Sequence, residues 1–190
     1  MSSVPALDPA LNLAIAFLNT YDLLEDPPDR LTAARAAHVA RHYGFTTLGD
    51  GLASLADTGV DRLRATRGGL YEIFAAAEPQ AKLAALNVAL DRAGLRPRAV
   101  LDASGRVRLT ATRDVEPDSP IEALTVLTTA ALADAMTAGG PDRFGTCAGN
   151  PCACVYVDRT RAGRQRFCCQ LCNDRTAAAA YRSRRAAGHS

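Results

Sequence analysis

Apolar residues recur at helical spacing through most of the first 140 positions of the chain. Asp8-Pro9 offers an N-cap followed by a proline at the first helical position, and "ALNLAIAFLNTYDLL" continues with apolar side chains three and four apart. "DPPDR" breaks that helix. "LTAARAAHVARHYGF" predicts a second helix stopped at Gly44, and "LGDGLASLADTG" a short helix or turn. "VDRLRATRGGLYEIFAAAE" predicts another helix, with Gly68-Gly69 as an internal weak spot, and "EPQAKLAALNVALDRAGL" a further one ended by Gly94 and Pro97. The period then changes. Val100 and Leu101, then Val107, Leu109 and Ala111, flank the turn signal "DASG", which predicts a β-hairpin over about residues 97–112. Ser119, Pro120 and Glu122 mark the start of a long helix, "DSPIEALTVLTTAALADAMTAGG", closed by Gly139-Gly140. The fold class expected is mainly α with a small β-hairpin (α+β), with a helical domain at 1–140 and a smaller unit at 141–190.

The pattern in that smaller unit is set by sulfur. All six cysteines lie between residues 147 and 172, spaced Cys147-x4-Cys152, then 15 residues, then Cys168-x3-Cys172. Two short pairs at this separation form the pattern of a structural four-thiolate zinc site, in which each tight knuckle supplies two ligands to a tetrahedral ion. Asn150-Pro151 supplies the turn in the first knuckle. "CVYVD" and "RQRFC" read as strands joined through Gly163, and "NDRTAAAAYRSRRAA" as a helix with Asn173 or Asp174 as its cap. The expected unit is a treble-clef-like zinc finger: knuckle, β-hairpin, knuckle, helix. Six cysteines for four positions leave two spare: Cys154 reads as a buried strand residue, and either Cys168 or Cys169 could pair with Cys172, Cys169-x2-Cys172 being the more usual knuckle spacing.

Charge adds a second distinction between the two parts. The chain carries a net +2, but from Arg143 onward nine arginines face two aspartates, or +7, leaving 13 basic and 18 acidic residues, or −5, before it. A basic end of this kind suits a polyanion. The opening residues have no basic n-region, and no apolar run approaches the ~20 residues of a membrane span. The expectation is a cytoplasmic protein whose thiols are kept reduced and available to metal. His38 and His42 are expected as helix-surface residues, and Glu72, Glu78, Asp91 and Asp61 as surface carboxylates. No phosphate loop, nucleophile elbow or Cys-His pair is present, so an enzyme is not expected.

The segment "RFGTCAGNPCACVYVDRTRAGRQRFCCQLCNDRTAAAAYRSRR" resembles the C-terminal finger of the CGNR zinc-finger family of bacterial transcription regulators. The likeness lies in the C-x4-C knuckle, the aromatic-Val-Asp strand, the Arg-x-aromatic-Cys approach and the basic helix. It departs at the naming tetrad, where Asn173-Asp174-Arg175 stands in place of Gly-Asn-Arg. In this register the resemblance implies Zn²⁺ ligands at Cys147, Cys152, Cys168 and Cys172. "AIAFLNT" and "DLLEDPPDRL" resemble the opening of the stress-induced transcription regulator domain that precedes this finger in the family. The implied function is transcription regulation in a stress response. The arginines placed to contact DNA are Arg161, Arg164 and Arg166 on the finger's hairpin and Arg175, Arg182 and Arg185 on its helix. The N-terminal domain would then sense a small-molecule effector or form a homodimer, with Asn19-Thr20 either lining a pocket or capping a turn. The alternative is a zinc-stapled interaction protein whose finger docks on a partner or on its own acidic first domain.

Overall fold

Asp8 accepts the Ala10 amide at 2.9 Å and Pro9 sets the first turn, so helix α1 runs Pro9–Leu18. The computed structural model describes residues 8–101 and 104–187. Thr32 caps α2 (Ala33–His42) by accepting the Arg35 amide, and the chain turns away just after α2 at Gly44, whose positive φ of 89° suits glycine. Helix α3 (Thr46–Ala53) follows, then α4 (Asp57–Ala75) and α5 (Pro79–Arg92). Gly68 and Gly69 do not interrupt α4. Strands β1 (Arg96–Leu101) and β2 (Val107–Thr112) pair antiparallel with Leu101 opposite Val107, as the change of period predicts. Residues 102 and 103 of the expected turn lie outside the described residues. Ser119 accepts the Glu122 amide at 3.3 Å and starts α6 (Pro120–Gly139). The Glu122 carboxylate reaches back to the Asp118 amide rather than to that of Ser119, and so closes the capping turn one residue earlier.

Helix α6 touches α1, α3, α4, α5 and β2, and its Leu124, Ala131, Leu132 and Met136 are buried at the centre. It is long and apolar enough to cross a membrane by composition, but its apolar positions are spent on this core. The hairpin meets α6 through polar groups: Thr110 Oγ1 lies 3.2 Å from the Asp134 carboxylate and Arg108 pairs with it at 3.6 Å. Leu101, Val107 and Leu109 remain on the outer side, each about two-thirds exposed.

After a 3-10 turn at Pro141–Arg143, β3 (Phe144–Thr146) and β4 (Val155–Val157) form a second antiparallel pair, and α7 (Gln170–Ala187) closes the chain. Among the described residues the protein has seven α-helices and two small antiparallel sheets, an α+β fold.

The finger's hairpin sits one strand earlier than the sequence pattern places it. Strand β4 pairs with β3 across the first knuckle, while 164–168 forms no strand. Side chains explain the shift. The Asp158 carboxylate accepts the Thr160 and Gln165 amides at 2.7 and 2.8 Å and closes the intervening loop, and the Arg166 carbonyl accepts from the Ala148 amide of the knuckle. The returning segment thus takes its partners from a carboxylate and a knuckle rather than from a strand. Arg161, Arg164 and Arg166 therefore lie on a loop, not on a hairpin.

Candidate metal centre and basic surface

Four sulfurs converge where the first knuckle, the returning loop and the start of α7 meet. Cys147 and Cys152 come from the ends of the β3–β4 connection, Cys168 from the loop and Cys172 from the first turn of α7. Their Sγ atoms all lie within 4.8 Å of one another, with Cys152 to Cys168 at 3.7 Å and Cys168 to Cys172 at 3.8 Å. A tetrahedral ion with Zn–S bonds of ~2.3 Å needs sulfur–sulfur edges of about 3.8 Å, so the donor set and its spacing fit zinc. These four are the residues to which the sequence assigns the metal.

Backbone amides are aimed at the cluster. Gly149 and Cys168 each donate to the Cys147 sulfur at 3.4 Å. Burial raises the Cys147 thiol, but these amides together with the Cys168 and Cys152 thiols outweigh it and hold the group below its ordinary value. Burial pushes Cys172 up to about 12 and Cys168 higher still, each reinforced by neighbouring sulfurs. Four thiols this close cannot all ionise without a cation between them, and a divalent ion supplies that compensation. The knuckle is sterically tight: a Cβ on Gly149 would stand 3.1 Å from the Cys172 Cβ and 3.4 Å from the Cys147 sulfur.

The two surplus thiols separate. Cys154 is buried beside Cys152 and Asp22, and burial followed by those two neighbours holds its thiol protonated. Cys169 is exposed at the entrance to α7, where the Cys172 amide, and more weakly that of Leu171, hold its thiol below its ordinary value. Asn173 and Asp174, to which the sequence pattern gives the cap, both lie inside α7. The helix starts at Gln170 because Cys172 must project from its first turn to reach the cluster. Asp174 instead accepts from the Gln170 side chain at 2.7 Å, inside the helix.

The finger is fixed to the helices by residues whose role the sequence does not announce. Asn19, the C-cap of α1, accepts the Val155 amide at 2.8 Å and donates to the Val155 carbonyl at 3.0 Å, completing β4 as a third strand would. Asn19 thus does more than cap a turn, and it also borders a groove between α1 and the finger. The Tyr71 hydroxyl donates to the Ala153 carbonyl at 3.1 Å, and the ammonium of Lys82, the only lysine, donates to the Phe144 carbonyl. Phe144 stacks against Phe74 at 5.2 Å, and it and Val155 are each 1% exposed within the core shared with the helices. Each such burial contributes about 1.5–3 kcal/mol. Thr20 braces a different part of the scaffold. Its hydroxyl donates to the Phe17 carbonyl and accepts from Arg67, whose guanidinium grips Asp29 at 2.8 and 2.9 Å. The Arg67–Asp29 pair anchors the Pro27-Pro28 loop to α4 and holds the Asp29 carboxyl well below the usual carboxylate range.

The arginines assigned to DNA all face solvent. Arg161, Arg164 and Arg166 are exposed on the loop, and Arg175, Arg182 and Arg185 are exposed on α7. At 100° per residue the last three fall within about 80° of one another on the helix. Apart from Cys172 and the half-buried Thr176, every α7 side chain from Gln170 to Arg185 is exposed. His38 and His42 are exposed and stack on each other at 6.4 Å, remote from the cysteine cluster in sequence and apart from any metal-spaced group among the described residues.

No protein of curated function matches the chain. Two family models do: the CGNR zinc finger over residues 143–185, and the ABATE family, described as "Putative stress-induced transcription regulator", over residues 11–144. With the helical scaffold and the four-cysteine finger each matched along its length, the chain belongs to the ABATE family and carries a C-terminal CGNR zinc finger.

Proposed function

We propose that this chain is a zinc-dependent, non-enzymatic transcription regulator that grips duplex DNA with the loop arginines Arg161, Arg164 and Arg166 and the α7 arginines Arg175, Arg182 and Arg185. The observation that carries this reading is α7. An 18-residue helix with almost no buried side chain has no packing reason to stand where it does, and its charge is arginine with one aspartate. Arginine's planar fork matches phosphate oxygens, and a basic helix beside a basic loop presents them along one strand of backbone. The chemistry by which the finger meets its own helical domain also supports DNA over self-docking. That contact is made through the apolar Phe144 and Val155, the hydrogen-bonding Asn19, Tyr71 and Lys82, and the finger's Arg159, which donates to Asn12 at 2.9 Å, while the six arginines named above lie outside it. Zinc, held by Cys147, Cys152, Cys168 and Cys172, would fix the origin of α7 and take no part in chemistry.

Salt-dependent binding to mixed-sequence duplex DNA tests the reading. Four to six phosphate contacts predict a slope of log K against log salt of about −4 to −5, and removing one contacting arginine should reduce it by about 1. The Arg175→Ala and Arg182→Ala double variant should lose affinity steeply while keeping its metal. No affinity at low salt, or an unchanged slope in the double variant, refutes the assignment.

A further inference from the structure

A cleft of about 630 Å³ lies between α4, α5 and the first turns of α6, on the helical scaffold rather than on the finger. That volume is in the range of small-molecule sites. Leu70, Ala89 and Ile121 give it apolar walls, and Arg62 and Arg92 bring two guanidinium groups to it.

Its distinguishing residue is Thr129. Among the other threonines of α6, Thr125, Thr128 and Thr137 return their hydroxyls to the carbonyl four residues back, those of Ile121, Leu124 and Ala133, at 2.7–2.8 Å. Thr129 does not. It is 0% exposed, lines the cleft, and its Oγ1 has no hydrogen-bond partner. A buried hydroxyl left without a partner costs about 1–3 kcal/mol, and the local remedy its neighbours use is one turn away in the same helix. A hydroxyl that forgoes this bond while lining a cleft is available to a ligand.

The cleft is lined by Arg62 and Arg92 and by two carboxylates, Asp118 and Glu122. Glu122 is already met by Arg113 at 2.7 Å and by the Asp118 amide at 2.6 Å, which leaves two guanidinium groups against the one Asp118 carboxylate. Arg62 and Arg92 make no hydrogen-bonded ion pair among the described residues. The Arg92 guanidinium lies near α4 at Gly69, where an added Cβ would meet Nη1 at an ordinary contact distance of 3.4 Å.

We propose that this cleft binds a small carboxylate with an aromatic or compact apolar body, its charge met by Arg62 and Arg92, its body by Leu70, Ala89 and Ile121, and a polar atom by Thr129 Oγ1. The site is independent of the finger's contact with DNA, so either reading can fail without the other.

The test is an amide NMR titration of the zinc-loaded full chain with benzoate, phenylacetate and 4-hydroxybenzoate, and with neutral benzamide as the control. At least one carboxylate should give saturable shifts confined to α4, α5 and the start of α6, with a dissociation constant below about 1 mM, and benzamide should bind about tenfold more weakly or worse. Arg62→Ala with Arg92→Ala should weaken the carboxylate about tenfold or more and leave benzamide unaffected. Thr129→Val, which preserves shape, should keep the melting temperature at or above that of the parent while weakening the carboxylate. Three results overturn the proposal: no saturable shift from any of the three carboxylates up to about 10 mM, equal affinity for benzamide, or a Thr129→Val variant that melts lower and binds unchanged.

Discussion

Replacing Asn19 with alanine removes one side chain and strands both polar groups of a buried residue. Val155 is 1% exposed, its amide donates to Asn19 Oδ1 at 2.8 Å and its carbonyl accepts from Asn19 Nδ2 at 3.0 Å. A buried group that loses its partner costs about 1–3 kcal/mol, and two groups on one residue share the relaxation, so the expected loss is about 2–4 kcal/mol. For a chain of this size that is a fall in melting temperature of about 5–12 °C. The assay is urea unfolding of the zinc-loaded protein followed by far-ultraviolet circular dichroism, since the chain has no tryptophan. Asn19→Asp sharpens the test. At neutral pH the carboxylate can still accept from the Val155 amide, but it faces the Val155 carbonyl with no proton to offer. Its charged form is disfavoured by folding, so its folded pKa is raised. The variant should be best relative to the parent below the unfolded carboxyl value and lose stability as pH rises through the folded one. An alanine variant within about 0.5 kcal/mol of the parent would refute the idea that this amide holds the finger to the helices.

Cys168→Ser should reduce zinc from one ion per chain to a small fraction, while Cys169→Ser should leave it near one, as measured by elemental analysis after dialysis; metal loss in the second variant and not the first would exchange their roles. Gly149→Ala should weaken zinc in a competition with a chromogenic chelator, because its Cβ presses on the Cys172 Cβ at 3.1 Å; unchanged affinity would show that the knuckle yields. Asp29→Asn should cost about 2 kcal/mol at neutral pH by removing a charged partner of Arg67. Because the Asp29 carboxyl is held low by Arg67, its stabilisation is present above the unfolded value of about 3.9 and is lost as pH falls below it. The parent should therefore lose more stability than the variant between pH 5 and 2, and parallel pH profiles would contradict this.

The helices were legible because each carries its own signal. Asp8-Pro9 and Ser119-Pro120 cap the helices they announce, and the switch at Val100 from period 3.6 to period 2 marks the hairpin. The cysteine cluster was legible because knuckle spacing is a local property of the chain, whereas the choice of Cys168 over Cys169 came from the family resemblance and not from spacing. What the pattern misplaced was decided by contacts at long range. "RQRFC" has strand composition, yet Asp158 and the first knuckle take its backbone partners before a ladder forms. Asn173 and Asp174 have capping chemistry, yet the need to bring Cys172 to the cluster starts the helix earlier. Asn19, Tyr71 and Lys82 were invisible as docking residues because their partners are main-chain atoms 62 to 136 positions away. A backbone carbonyl leaves no trace in a sequence. The single lysine among 22 basic residues was the one available hint that position 82 differs from the arginine surface.

The way α7 is attached makes the finger mechanically divided. Phe144 and Val155 belong to the helical core, so β3 and β4 are held whether or not the cysteines have an ion. The described part of α7 has no comparable hold: its one buried side chain is Cys172, itself a member of the cluster. Removing zinc should therefore leave the scaffold folded and cast the arginine helix adrift, with its charges intact but its aim lost. Under the proposed function, such a protein would lose its grip on DNA without losing its charge or its fold. Metal supply would then act as a clutch between the body of the protein and the lever that meets the polyanion.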